Sequence, residues 1–248
     1  MDQGVALPVW PDPPESLALE PGWVHVFSFR LELAGERLEA LRRSLSADEQ
    51  ARAARYLREP DGRHFIAARG QLREILSAYT GIPPAGLRFT YTPQGKPALA
   101  EDAPRLAGEL RFNLSHSAGL GLLAVAAGRE VGVDLEWSGR EVDDAAISTR
   151  FFAPGEIATL RALPEPDRRQ GFFNAWTRKE AYLKATGLGL ALPLDSFSVS
   201  LVPGDPPRLD APQGGWSLYA LDPAPGYTAA LAVAEPVDGV RCWRWARG

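Results

Sequence analysis

GVDLEW, residues 132–137, returns in altered form as GVRCWRW at 239–245, an offset of 107 (239 − 132). LAVAAG at 123 and LAVAEP at 231 repeat at 108, while Glu49 and Phe65 find Glu156 and Phe172 at 107. Four segments in one order at nearly one offset read as an internal duplication. Each half then reads as strand, helix, longer helix and three strands. Strands are expected at 23–30, 110–115, 120–127 and 131–137, and again at 195–202, 216–222, 227–234 and 239–245. Long helices are expected at 64–79 and 167–186, the second stopped by Gly187 and Gly189. The fold class that follows is α+β: two pseudo-symmetric lobes, each a three-to-four-stranded antiparallel sheet packed with a long helix. The expected domains are a Pro-rich tail (1–22), an N-terminal lobe (23–128) and a C-terminal lobe (129–248). The tail is expected to wrap onto the domain through Trp10 or Trp23.

With 45% apolar and 23% charged residues among 248, the chain has an ordinary globular make-up. A net charge of −4 gives no reason to expect a nucleic-acid partner. No apolar run approaches the ~18 residues that span a bilayer, so no membrane partner is expected. The single cysteine, Cys242, excludes an internal disulfide and a thiolate metal cage. A reducing, cytoplasmic setting is the expectation. Two related lobes in one chain make a monomer sufficient.

The repeat kept its acids in one copy. Asp134 and Glu136 stand where the other copy has Arg241 and Trp243. Residues i and i+2 of a strand share a face, so both carboxylates point one way while Val133 and Leu135 pack on the other side. Two such acids repel unless solvated or bridged by a cation; the plainer reading is a wet strand face. WTRKEAYLKATGLGL at 176–190 adds Glu180, with Trp176 and Lys184 on the same helical side at i, i+4 spacing. An ordinary Glu–Lys helix pair explains Glu180 with Lys184, but not the dense run of charges or the glycine-bounded loop after it. Three hard oxygen donors without His or Cys suit Mg²⁺, with phosphate and water completing its shell.

Other residues suit phosphate. His116 ends a strand in RFNLSHSAG, among Asn113, Ser115 and Ser117; a surface turn histidine is the plainer reading. TPQGKPAL at 92–99 is a Gly-Lys-Pro turn that could be only a loop, or could set Lys96 and backbone amides beside an adenine ring and a phosphate. Of the arginines on the first lobe's helices, Arg52 and Arg69 are the expected phosphate partners. No Walker loop or dinucleotide fingerprint is present, since GLGLL at 119–123 lacks the spacing.

FNLSHS, GVDLEW and WTRKEAYLKATGLGL followed by LPLDSFSV, with QGKP, resemble in order and spacing the 4′-phosphopantetheinyl transferases of the Sfp type. The likeness covers about 85–198 and extends toward 46 through SADEQARAARYL and FIAARGQLR. It implies two α+β lobes with the site between them. It implies transfer of the phosphopantetheine arm of coenzyme A, as substrate, to a serine of an apo acyl or peptidyl carrier protein, releasing adenosine 3′,5′-bisphosphate. Mg²⁺ is the implied ion, with Mn²⁺ as a substitute. By resemblance the metal acids are Asp134, Glu136 and Glu180, and Ser115 with His116 holds the 3′-phosphate. Gly95, Lys96 and Pro97 lie near the adenine, and Lys179 and Lys184 beside the diphosphate. Glu180 and Lys184 are the expected catalytic pair. Glu49 reverses one charge of the basic pair that some members carry, leaving Arg52, with Arg69, on the 3′-phosphate side. Carrier docking is expected on 140–175 and 186–193, where Phe151, Phe152 and Leu190 equally suit the core. The alternatives are a non-catalytic coenzyme A or nucleotide-binding module and a magnesium-dependent phosphodiesterase.

Overall fold

Runs such as WVHVFSFR and LGLLAVAA are buried on both faces, and a strand without a wet face has to lie between two layers. The computed structural model describes residues 10–100 and 109–246, apart from the side chain of Leu190. The strands are β1 (Trp23–Arg30), β2 (Phe89–Tyr91), β3 (Pro97–Leu99), β4 (Leu110–Ser117), β5 (Leu120–Ala127), β6 (Val131–Trp137), β7 (Ser198–Val199), β8 (Leu209–Asp210), β9 (Trp216–Leu221), β10 (Tyr227–Ala234) and β11 (Gly239–Arg244). The helices are α1 (Gly35–Ser44), α2 (Ala47–Ala53), α3 (Glu59–Thr80), α4 (Asp144–Phe151), α5 (Pro154–Ala162) and α6 (Glu165–Thr186). One sheet runs β11-β1-β5-β4 and a second β6-β10-β9.

The alternation of apolar residues stacks these elements as helix, sheet, sheet, helix. Phe27, Phe29, Leu123 and Val125 face α3 through Leu72, Ile75 and Leu76. Val24, Val26, Leu122 and Ala124 face the second sheet through Val131, Val133, Leu135, Leu231 and Val233. Ala230 and Ala232 on that sheet's outer side meet α6. The fold is therefore α+β with two similar sheet-and-helix lobes.

The two lobes exchange strands. β6 follows the first lobe's hairpin but pairs with β10, and β11 crosses back to pair with β1. The β1–β11 pair is parallel, where an antiparallel sheet is expected. Both edges of β10 are already taken, by β6 and β9, so the last strand takes the free edge of β1. The expected strand at 195–202 is a 3₁₀ turn, Leu194–Ser196, followed by the two-residue β7. Its carbonyls are turned toward Lys179, as described below.

The described part of the tail lies along β11. Pro11 O accepts from Arg244 N at 2.8 Å, Asp12 and Glu20 pair with Arg244 and Arg241, and Trp10 packs on the inter-sheet core. The rest of the tail, 1–9, lies outside the described residues. Of the docking candidates, Phe152 is core at 2% exposed and Phe151 packs against Trp176; the Leu190 side chain lies outside the description.

Gly132 fixes how near α6 comes to the site strand. A Cβ there would sit 2.1 Å from Ala181 O and 2.3 Å from Ala185 N. The helix backbone thus rides directly on β6, bringing Glu180 and Lys184 over the face that carries Asp134.

Candidate active site

The first sheet's edge strand β4 and the second sheet's edge strand β6 meet side by side without a backbone ladder. Side chains of alternate β4 residues make the joint instead. Asn113 Oδ1 accepts from Val133 N at 2.8 Å, Ser115 Oγ donates to Asp134 Oδ1 at 3.0 Å, and Ser117 Oγ donates to Glu136 Oε2 at 3.1 Å. The other β4 residues, Phe112 and Leu114, pack toward α3. His116 belongs to that second set.

This seam delivers the acids. Asp134 is buried, with Lys184 Nζ 2.6 Å from its Oδ1, while its Oδ2 is buried with no hydrogen-bond partner. Glu136 accepts from Ser117 and pairs with Arg140 at 2.8 Å. Glu180 is half-buried and feels Asp134, Lys184 and Glu136 electrostatically, with no hydrogen bond to its carboxylate among the described residues. Burial first, then Asp134, raises the pKa of Glu136 and of Glu180. Three hard-oxygen donors, one buried and orphaned, have the chemistry a divalent ion wants. As they stand, no three acidic, His or Cys side chains among the described residues converge tightly enough to enclose an ion. Glu136 is turned to Ser117 and Arg140, and Lys184 takes one oxygen of Asp134.

Beside this cluster runs a groove of two adjoining cavities. One, of about 360 Å³, is lined by Glu180, Lys184, Gly187 and the turn Gln94–Pro97. The other, of about 460 Å³, is lined by Arg52, Arg55, Tyr56, Arg69, Tyr91 and His116. Gly95, Pro97, Asn113 and Leu114 wall both, so the groove runs from the acids to a cationic end. His116 faces solvent there; the protein crowded around it, then Lys184 and His64, lower its pKa.

Residues 34–128 match the family described as 4′-phosphopantetheinyl transferase, N-terminal, and residues 130–232 match the 4′-phosphopantetheinyl transferase superfamily. The 4′-phosphopantetheinyl transferase HetI of Nostoc sp. (strain PCC 7120) is 41% identical over 226 residues, covering 91% of this chain and 93% of its own. The chain belongs to the 4′-phosphopantetheinyl transferase superfamily. The transferase is also 27% identical to Sfp of Bacillus subtilis (strain 168), over 82% of this chain and 88% of Sfp. A solved holo-[acyl-carrier-protein] synthase from Thermotoga maritima overlays on 43% of this chain and 62% of its own at 22% identity, with a TM-score of 0.36, too partial to weigh. No helix among the described residues is long and apolar enough to cross a membrane.

One expectation for the transferase's site needs correction, and three further residues have partners within the protein. Lys179 does not reach the groove: it is 0% exposed, with Nζ 2.7 Å from both Leu194 O and Phe197 O and 2.8 Å from Glu156. The Lys96 ammonium is also engaged, donating to Glu130, Val131 O and Ala185 O at 2.7, 3.2 and 3.0 Å. It pins the Gly-Lys-Pro turn to the C-terminal end of α6, where a cation suits the helix dipole. Ser115 and His116, neighbours on a strand, point to opposite faces, so Ser115 joins the acids and only His116 faces the cationic cavity. Arg69 lines that cavity but is held by Glu49 and by Tyr91, whose hydroxyl accepts at 2.8 Å. The charge reversal at Glu49 is thus absorbed internally, by Arg69 and Arg73. Arg55, Tyr56, Tyr91, His64 and Arg140 were not foreseen; an exposed arginine or tyrosine carries no spacing signal of its own.

Proposed function

We propose that the groove is the coenzyme A site of this transferase, and that the chain moves the phosphopantetheine arm of coenzyme A to a serine hydroxyl of an apo acyl or peptidyl carrier protein, releasing adenosine 3′,5′-bisphosphate. The observation that carries this reading is the shared wall of the two cavities. Coenzyme A carries a 3′-phosphate monoester and a 5′-diphosphate on one ribose, with the adenine projecting from its C1′. A cationic cavity joined to an acid–lysine cavity by a glycine-bearing turn suits that shape. Arg52 and His116 take the 3′-phosphate, Arg69 fixes the cavity wall behind them, and Gly95 and Pro97 flank the adenine with Lys96 anchoring the turn.

Asp134, Glu136 and Glu180 are the residues to hold Mg²⁺, or Mn²⁺ in its place, which when bound supplies charge neutralisation for a diphosphate. Lys184, whose ammonium is held by Asp134 Oδ1 at 2.6 Å and Ser115 Oγ at 3.0 Å beside the groove, is the residue to supply positive charge to the leaving bisphosphate as the P–O bond lengthens. The serine oxygen forms the new bond to phosphorus, the bond to the bisphosphate breaks, and the serine proton passes to Glu180.

Mass spectrometry of apo carrier incubated with coenzyme A and Mg²⁺ tests the reading. A mass gain of one phosphopantetheine arm on the carrier is expected from the native chain and none from Glu180→Gln. Near-native turnover by the variant would refute the base assignment. Hydrolysed coenzyme A with an unmodified carrier would refute the transfer.

A further inference from the structure

We propose that Arg140 competes with the divalent ion for Glu136 and so sets how tightly the transferase holds its metal. The inference rests on the metal reading above and explains why the three acids do not converge. Glu136 has one oxygen, Oε2, engaged by both Ser117 Oγ at 3.1 Å and Arg140 Nη1 at 2.8 Å. Its side chain is 12% exposed and that of Arg140 is 43% exposed. A shielded acid is therefore held by a cation that can leave into water.

The placement of Arg140 is fixed from behind. Arg169 on α6 donates to Ser138 O at 2.9 Å and to Arg140 O. Ser138 ties the turn to Gly226 through its backbone N–H at 2.8 Å and its hydroxyl at 2.7 Å. Gly139 lets the turn fold onto Trp137, since a Cβ there would sit 2.4 Å from the indole. A long side chain on a bolted turn returns to one place, unlike an arginine on a loose loop. Its partner cation, Lys184, holds only Oδ1 of Asp134 and leaves the buried Oδ2 open. The ion needs no help there. At Glu136 no hydrogen bond falls on Oε1 among the described residues either, but Arg140 and Ser117 together hold the whole carboxylate toward the 138–140 turn, and Arg140 is the group that must let go for it to swing to the ion.

Titrating the metal-free full-length protein with Mn²⁺, without coenzyme A, and counting free ion by electron paramagnetic resonance tests this. R140Q should bind Mn²⁺ about two- to fivefold more tightly than the native chain, the range expected from losing a half-exposed ion pair. R140K, which keeps a charge on a shorter grip, should fall between them. Unchanged or weaker binding by both variants would overturn the proposal while leaving the metal reading intact. No Mn²⁺ binding by the native chain would overturn the metal reading and this proposal with it. Thermal unfolding gives a second readout: R140Q should melt below the native chain without ion and level with it at saturating Mn²⁺. A gap that persists at saturation would mean Arg140 stays on Glu136, and would overturn the competition.

Discussion

Replacing Lys179 by methionine separates a structural lysine from a chemical one five residues along the same helix. Lys179 is fully buried and ties Glu156 to the carbonyls of Leu194 and Phe197. Methionine fills the volume but leaves Glu156 without its counter-charge, accepting only from Ala153 N at 2.8 Å and Val199 N at 2.7 Å. Removing one partner of a buried pair costs about 3–5 kcal/mol. At about 2–4 °C per kcal/mol for a chain of this size, the melting temperature should fall by about 6–20 °C. Turnover per folded molecule at low temperature should stay within about threefold, because Lys179 touches no groove wall. Lys184→Met should do the reverse. Its side chain is 30% exposed, so the stability loss should be about 1 kcal/mol or less, while turnover should drop by about a hundredfold or more. Differential scanning calorimetry beside a carrier-loading assay reads both. A Lys179→Met protein that melts like the native one yet loads no carrier would refute the buried-pair reasoning.

His116→Ala should raise the KM for coenzyme A with little change in kcat, and the native chain should show a higher KM for 3′-dephospho-coenzyme A; equal KM values would remove the contact. His25 is buried at 1% exposed, shares a 2.6 Å hydrogen bond with Tyr79, and has its pKa lowered from 6.5 to about 4, chiefly by burial. The unfolded chain therefore binds a proton that the folded one refuses, so stability should fall as pH drops from 6.5 toward 4, by about 3 kcal/mol in all. Urea denaturation should show that acid loss in the native chain and less of it in His25→Gln. Glu136 and Glu180 run the opposite way: with folded pKa values raised, they cost the metal-free protein stability as pH rises above the ordinary carboxylate value. Metal binding releases those protons, so calorimetric Mg²⁺ affinity should tighten as pH rises through the raised range, and a flat profile would contradict it.

Period-2 alternation made much of this legible. Val133 and Leu135 lie in the inter-sheet core and Asp134 beside Lys184, as the GVDLEW pattern requires. The second long helix was marked by its glycine stop, and α6 ends at Gly187 with φ +69°. The same alternation requires Ser115 and His116 to part. Lys179 was hidden by a slip in the repeat. EPD at 59 and 165 and TG at 80 and 186 align the helices at 106 rather than 107, which sets Lys179 opposite Arg73. Arg73 pairs with Glu49 and donates to Pro84 O and Leu87 O, the same arrangement that Lys179 makes with Glu156, Leu194 O and Phe197 O. One structural ion pair was copied into both lobes, and only its second copy resembled chemistry. The crossing of β11 left no mark at all, because strand partners far apart in a chain are chosen by which sheet edges remain open.

That crossing governs how the molecule can be made and broken. A ribosome that has released residues 23–128 has made a sheet still missing the strand at 239–244, so the amino-terminal half waits on a strand that begins 111 residues later (239 − 128). Cutting the polypeptide after residue 128 would not yield two independent pieces: the carboxy-terminal fragment would carry off β11, which belongs to the first sheet, and co-expressed fragments should reassociate through that borrowed edge. The groove at the junction is therefore held by chain connectivity as well as by contact.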